Sequence, residues 1–173
     1  MIVLCYDGSA DAQAAIDRAG LLMAGSDATV LVIWETVLEA MPRHGSFGMG
    51  FGMVAAPYGD NGAGDAAIKQ AAVDTAADGV KRAAAVGLIA QPRVVNRGAD
   101  IAAVILAEAA DLEADVNVLG TRGLGGVKSL MLSSVSNAVL HHSDRAVLVV
   151  PSPRLAEQRH NWAEHAGITA GIT

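Results

Sequence analysis

The sequence predicts an α/β fold in which a parallel sheet is covered by helices on both faces. Short β-branched runs recur along the chain, and segments with helical spacing of apolar residues lie between them. Most runs are continuously apolar rather than alternating, as expected for strands that are buried on both faces. The alternation of strand and helix implies right-handed crossovers between parallel strands. The five predicted strands are Ile2–Tyr6, Thr29–Trp34, Arg93–Asn96, Asp115–Leu119 and Ala146–Val150.

Four helical segments separate the strands. They run from after Ser9 to Gly25, from Asp65 to about Val86, from Ala99 to about Leu112 and from Ser134 to about His142. Gly25 is suited to close the first helix as a C-cap. The apolar stripe expected on this helix consists of Ala12, Ala15, Ile16, Ala19, Leu22 and Met23.

Two segments lie outside this scheme. Thr36 to Gly64 is a long connection with seven glycines between Gly45 and Gly64. A loop of this length is usually either functional, here as a lid over a ligand, or disordered. The C-terminal segment follows two prolines and has weak helical character near Ala156–Ala166. We therefore expect one domain over residues 1–152 and a tail over residues 153–173.

Composition excludes several classes of function. The chain has 173 residues, a formal net charge of −6 and 3% aromatic residues, and its longest run of basic residues is the pair Lys81-Arg82. We expect neither a basic surface that could bind a polyanion nor aromatic side chains on which bases could stack, so the sequence predicts no nucleic-acid binding. A membrane span needs about 20 largely apolar residues, and no segment qualifies. The N-terminus lacks the features of a signal peptide and Cys5 is the single cysteine, so we expect a cytoplasmic protein.

Two strand-to-helix loops are candidates for a ligand site, because open α/β sheets bind ligands at the carboxyl ends of their strands. One is Asp7-Gly8-Ser9, and the other is Gly120-Thr121-Arg122-Gly123-Leu124-Gly125-Gly126. Four glycines in seven residues are more than a flexible turn needs, and they allow the backbone to approach a ligand. Ser133 or Ser134 can cap the following helix, whose free amides and dipole would attract phosphate.

Known phosphate motifs do not fit. The P-loop spacing is wrong around Lys128-Ser129, and the loop after the first strand has only Gly8 where a dinucleotide fingerprint needs three glycines. The pattern that fits is Gly120-Thr121-Arg122-Gly123, nine residues, and then Ser133-Ser134-Val135. Together with Asp7-Gly8-Ser9 and the closing strand Ala146–Val150, residues 1 to about 152 resemble the universal stress protein family.

The resemblance implies a sheet order of 3-2-1-4-5, which places both loops at one crevice. Many proteins of this family bind ATP there, and Mg²⁺ would accompany it. By resemblance, Asp7 contacts the adenosine end and the backbone of Ile33 meets adenine. Gly120 and Gly123 admit the ribose and phosphates, while the last three motif residues hold phosphate. The implied nucleotide-binding set is Asp7, Gly8, Ser9, Ile33, Gly120, Arg122, Gly123, Gly126, Ser133, Ser134 and Val135.

One residue departs from the family's pattern, which usually has glycine at the position of Ser133. If the φ angle of Ser133 is negative, serine costs nothing and its hydroxyl could add a phosphate contact. If φ is positive, the strain is on the order of 1 kcal/mol or more. Asp7 could instead cap the first helix or satisfy its own loop, and Arg122 and Lys128 could simply be solvated.

Other reactive side chains have simpler interpretations. His141 and His142 lie in the last turn of a helix, where cations favour the dipole, and adjacent helical residues point in different directions. Cys5 is expected to be an inert core thiol. No general base, catalytic triad or metal-ligand spacing emerges, so we expect at most slow ATP hydrolysis.

With this resemblance, we expect a cytoplasmic ATP-binding stress-response protein that acts as a nucleotide-dependent dimeric switch on an unknown protein partner. The alternative is a dimeric interaction module of the same family that does not bind nucleotide, and a weaker one is a slow ATPase. The resemblance implies a homodimer through the last strand, whose lack of charge makes it a poor exposed edge. Its pairing residues would be Val147, Leu148, Val149 and Val150.

Overall fold

The computed structural model describes residues 1–36, 61–98, 100–121 and 132–165. The strands are β1 (Ile2–Cys5), β2 (Asp27–Trp34), β3 (Ile89–Asn96), β4 (Val116–Gly120) and β5 (Ala146–Val150). The helices are α1 (Ala10–Met23), α2 (Asn61–Ala85), α3 (Ile101–Asp111), α4 (Ser134–His142) and α5 (Pro153–His165).

The five strands form one parallel sheet in the order β3-β2-β1-β4-β5, which confirms the predicted fold class and order. Central β1 is aligned with both neighbours, since Val3 lies opposite Thr29 in β2 and opposite Asn117 in β4. The direction in which the chain winds reverses between β1 and β4. This point is where open α/β sheets bind ligands.

The hydrophobic core has two parts, one on each face of the sheet. Alternate residues of a strand point to opposite faces, and accordingly Leu4 packs with buried alanines of α1 and α2 while Val3 packs with buried residues of α3 and α4. Helices therefore cover both faces. Alanine supplies most of the buried helical residues in the part of the core around Leu4.

Strand β3 is longer than the sequence pattern predicted. It begins at Ile89 rather than Arg93, and Pro92 is aligned with Val30 inside the strand. Proline lacks the backbone N–H that a central strand donates to its neighbour, but an edge strand tolerates proline. Pro92 therefore led the sequence pattern to a strand that begins too late, whereas the observed edge strand continues through this proline.

The burial of α1 differs from the prediction near its end. Gly25 follows the C-cap residue with φ of +82°, as expected for a glycine that ends a helix. Leu22 is 61% exposed, however, so its place on the buried stripe was wrong. Gly20 is buried instead, and a Cβ there would lie 2.4 Å from Cγ2 of Val86. This close approach decides which face of the last turn is covered.

The long connection and the tail are described in part. Residues 37–60 lie outside the described residues, so the expected lid or disorder there stays a prediction. The tail forms helix α5, whose first turn is packed, because Leu155 is 2% exposed and the Ala156 amide donates to the Ser152 carbonyl at 2.9 Å. None of the helices in the described ranges is both long and apolar enough to cross a membrane.

Candidate functional site

The loop after β1 is shaped by its own side chains. Oδ1 of Asp7 accepts a hydrogen bond from the Ser9 amide at 3.0 Å, and Gly8 between them has φ of +80°, a conformation that favours glycine. Ser9 is the N-cap of α1, and its Oγ accepts from the Ala12 amide at 3.2 Å. Ser9 rather than Asp7 therefore caps the helix. Asp7 stabilises the turn that places the start of α1 against the sheet.

Gly120, the last residue of β4, lies against the first turn of α1. A Cβ at this position would lie 2.7 Å from both the carbonyl carbon and the Cβ of Asp11, and 2.8 Å from the Ala12 nitrogen. Real Cβ atoms essentially never approach this closely. The packing of α1 on β4 therefore accounts for this glycine without any ligand.

A buried hydrogen bond joins the first turn of α1 to the residue after β4 at the same point. Oγ1 of Thr121 donates to Oδ2 of Asp11, and both side chains are buried. The Thr121 amide also donates to the Val150 carbonyl at 3.0 Å. Asp11 and Thr121 are 110 residues apart, so the sequence did not indicate that they meet. The only local signal was a hydroxyl residue directly after Gly120.

The start of α4 is attached to the end of β4. The Ser133 amide donates to the Thr121 carbonyl at 2.8 Å, and the Ser136 hydroxyl donates to the Gly120 carbonyl at 2.8 Å. The first-turn amides of Ser134 and Val135 have no acceptor within the helix. They bring the positive end of the α4 dipole to the carboxyl edge of the sheet, where an anion would be stabilised.

Ser133 adopts an unstrained conformation. It is the N-cap of α4 with φ of −62° and ψ of 156°, and its Oγ accepts from the Ser136 amide at 3.1 Å. The positive φ that serine would find costly does not occur. Replacing the family's usual glycine therefore costs no backbone strain and adds a helix cap.

The remaining predicted site residues are distributed as follows. Ile33 lies near the carboxyl end of β2, next to β1, and packs against the core on the α3 and α4 side. The side chain of Val135 packs against the same part of the core. Arg122, Gly123 and Gly126 lie outside the described residues. The structure thus brings the β1 loop, the end of β4 and the start of α4 together.

An ion pair with a buried arginine lies at the same edge of the sheet and was also missed. Arg97 directly follows β3, and its side chain is 7% exposed. Nη1 of Arg97 donates to Oε2 of Glu35 at 2.9 Å, and its amide donates to the Trp34 carbonyl at 2.7 Å. An arginine after a strand usually indicates a solvated charge, so the sequence offered no signal for this pair. It joins the ends of β2 and β3.

Two titratable side chains at the end of β1 remain neutral at physiological pH. Burial, with the charge of Asp7, raises the pKa of Cys5 from 9.0 to about 12. Burial and the hydrogen bond from its hydroxyl to Oδ2 of Asp78, at 2.7 Å, raise the pKa of Tyr6 from 10.0 to about 12. Neither supplies an anionic nucleophile beside the site. Among the described residues, no cluster of three or more His, Cys, Asp or Glu side chains could hold a metal ion.

Comparison with known proteins identifies the family. The model of the universal stress protein family matches residues 1–151. A curated relative, universal stress protein Slr1101 of Synechocystis sp., is 46% identical over 39 residues, which are 22% of this chain and 36% of that protein. The match thus spans about a third of the relative's length.

Solved structures share the fold at low sequence identity. Protein MJ0577 superposes with a TM-score of 0.66 and 18% identity, covering 87% of this chain and 94% of that one. A universal stress protein from Archaeoglobus fulgidus in complex with dAMP superposes with a TM-score of 0.55 and 17% identity, covering 86% of this chain and 95% of that one. A universal stress protein in complex with cAMP superposes with a TM-score of 0.52 and 23% identity, covering 87% of this chain and 95% of that one. The fold and the match over residues 1–151 agree, and this chain belongs to the universal stress protein family.

Proposed function

We propose that this protein binds ATP, accompanied by Mg²⁺, in the crevice between the β1 loop and the start of α4. It acts in the cytoplasm as a stress-response protein whose nucleotide-bound and free dimers differ in their affinity for a protein partner. The observation that carries the proposal is the start of α4, where Ser133 is unstrained and the first-turn amides, which have no acceptor within the helix, lie beside the end of β4.

The phosphates would bind at this helix end. The amides of Ser134 and Val135 and the α4 dipole favour an anion by electrostatics and hydrogen bonding together. Gly123 and Gly126 would let the loop backbone approach the phosphates, and Arg122 would neutralise part of their charge. Gly120 would contribute to this phosphate site only by its position at the end of β4. Its lack of a side chain is explained by α1, which occupies the space that a side chain would fill.

The adenosine would bind across the ends of β1 and β2. Because β1 lies between β2 and β4, the end of β2 is two strand spacings from β4, or about 10 Å. A nucleoside spans such a distance. Asp7, with neighbouring Gly8 and Ser9, would face the adenosine end, and the backbone of Ile33 would meet adenine. The dAMP and cAMP complexes of two relatives support an adenine nucleotide as the ligand class.

The dimer would form through β5, which is an edge strand of the sheet that the described residues form. Its residues Val147–Val149 are partly exposed and uncharged. The opposite edge strand, β3, carries Pro92 and the charged Arg93, which disfavour pairing with another strand. We therefore assign the interface to Val147, Leu148, Val149 and Val150.

Sedimentation tests this interface. Val149→Lys should yield monomers, because it places a charge on the pairing edge. Val73→Lys is the matched control, since Val73 is an exposed valine on α2, 41% exposed and away from β5. If the Val149 variant remains dimeric, the interface lies elsewhere.

Nucleotide binding is tested by denaturing the purified protein, identifying any released nucleotide by chromatography, and titrating ATP with magnesium into the emptied protein by calorimetry. Near-stoichiometric ATP, or micromolar binding that Gly123→Val abolishes and Leu22→Ala leaves unchanged, supports the proposal. Absence of both nucleotide and binding heat at millimolar ATP refutes it and favours the interaction module. A turnover assay on the same sample distinguishes a slow ATPase from both.

A further inference from the structure

Ser136 connects the start of α4 to β4, although it is not part of the glycine–serine motif. It is 3% exposed, and its hydroxyl donates to the Gly120 carbonyl at 2.8 Å. The same Oγ lies 2.8 Å from Oγ of Ser133. The first contact joins the helix turn that would hold phosphate to the strand from which the glycine-rich loop departs, and the second links Ser136 to the N-cap residue of the same helix.

The direction of these hydrogen bonds follows from the number of protons. A serine hydroxyl has one proton to donate, and a carbonyl has none. Ser136 must use its proton on the Gly120 carbonyl, so the contact between the two hydroxyls uses the proton of Ser133. Oγ of Ser133 also accepts from the Ser136 amide at 3.1 Å. The Ser133 proton is therefore unavailable to a phosphate while this chain of hydrogen bonds is intact.

The carbonyl that accepts from Ser136 is itself held in place. Gly120 lies directly against the first turn of α1, and Thr121 donates to both Asp11 and the Val150 carbonyl. The Ser136 hydroxyl thus transmits the position of β4 to the first turn of α4. That turn carries the amides of Ser134 and Val135.

We propose that Ser136 is a positioning residue for the phosphate end of the site, and that Ser133 acts only as a helix cap and as the donor to Ser136. This inference rests on the proposed nucleotide-binding function. Phosphate is then recognised by the Ser134 and Val135 amides, and the exposed Ser134 side chain supplies the serine hydroxyl within reach. The departure from the usual glycine at residue 133 leaves phosphate recognition intact.

The test compares two ligands that differ only in phosphate. Calorimetry with adenosine and with AMP is performed on the full chain and on Ser136→Ala, with Ser136→Thr as the variant that restores a hydroxyl. The Ser136→Ala change should weaken AMP binding about tenfold and leave adenosine within twofold, while Ser136→Thr keeps the AMP affinity. A purely structural loss would lower both affinities together, so equal effects on the two ligands, or no effect on either, overturn the inference.

A second variant keeps the inference testable if Ser136→Ala does not fold. Ser133→Gly should keep AMP affinity within threefold of the unmodified chain, because the hydroxyl that it removes does not touch phosphate. A tenfold loss for AMP with adenosine unchanged would show that Ser133 contacts phosphate, contrary to the inference. If the unmodified chain binds neither adenosine, AMP nor ATP, the proposed function fails and this inference fails with it.

Discussion

Replacing Gly120 with alanine tests why a glycine stands at the end of β4. The added Cβ would lie 2.7 Å from two atoms of Asp11 and 2.8 Å from the Ala12 nitrogen, whereas ordinary contacts begin at 3.4 Å. The first turn of α1 would have to move by about 0.7 Å, the difference between these distances. Backbone atoms cannot rotate away as a flexible side chain can, and the shift would disturb the buried hydrogen bond between Asp11 and Thr121.

We expect Gly120→Ala to lower the free energy of unfolding by about 3 kcal/mol, at the upper end of overpacking effects. For a domain of this size, the melting temperature should fall by about 6–12 °C. Gly25→Ala is the control, because nothing lies within 4 Å of a Cβ there and only the positive φ of +82° opposes alanine. It should cost about 1 kcal/mol.

Thermal and urea unfolding followed by circular dichroism measures both variants. If Gly120→Ala melts within 2 °C of the unmodified protein but loses nucleotide binding, ligand approach rather than helix packing explains this glycine. That result would refute the reasoning from the α1 contact.

Three further predictions concern single side chains. Thr121→Val leaves the buried Asp11 carboxylate without its hydroxyl donor and should cost about 2 kcal/mol in urea unfolding, while Thr121→Ser keeps most of the stability. A loss of less than 0.5 kcal/mol would contradict this role for the hydrogen bond. In the folded protein, Cys5 should react with a thiol reagent at pH 8 on the order of a thousandfold more slowly than in denaturant. The reason is that burial raises the pKa of its thiol from 9.0 to about 12. Equal rates would show an accessible thiolate. Leu155→Ala should cost about 2–4 kcal/mol, against less than about 0.5 kcal/mol for exposed Leu22→Ala. Equal costs would show that α5 is not packed on the domain.

The fold was predictable because burial on both faces leaves a strong pattern in each strand. Central strands such as β2 bury mainly apolar side chains, with Thr29 as an exception, so their apolar runs are visible in the sequence. The start of β3 was not predictable, because an edge strand tolerates Pro92 and charged residues that end a central strand. The strand order came from the resemblance, since periodicity alone does not state which strands are neighbours.

The candidate site was predictable only in outline. Loops after β1 and β4 follow from the general placement of ligands in α/β sheets, and glycine and serine stand out locally. The pairs Asp11–Thr121 and Arg97–Glu35 are separated by 110 and 62 residues, so no local pattern indicates that they meet. The first pair joins the start of α1 to the end of β4 and the second joins the ends of β2 and β3, and only the folded arrangement brings these elements together.

For Gly120 and Ser133, the role that the sequence motif suggests differs from the role that the structure shows. By the motif, Gly120 would serve the ligand, and Ser133 would weaken the site only if its φ were positive. In the structure Gly120 is required by the contact with α1, and Ser133 has a negative φ and caps α4. A glycine at residue 120 therefore persists even in a protein that has lost nucleotide binding, and a serine at residue 133 is compatible with one that retains it. Evidence for binding must come instead from the phosphate dependence of affinity, which depends on the position of the α4 amides and hence on Ser136.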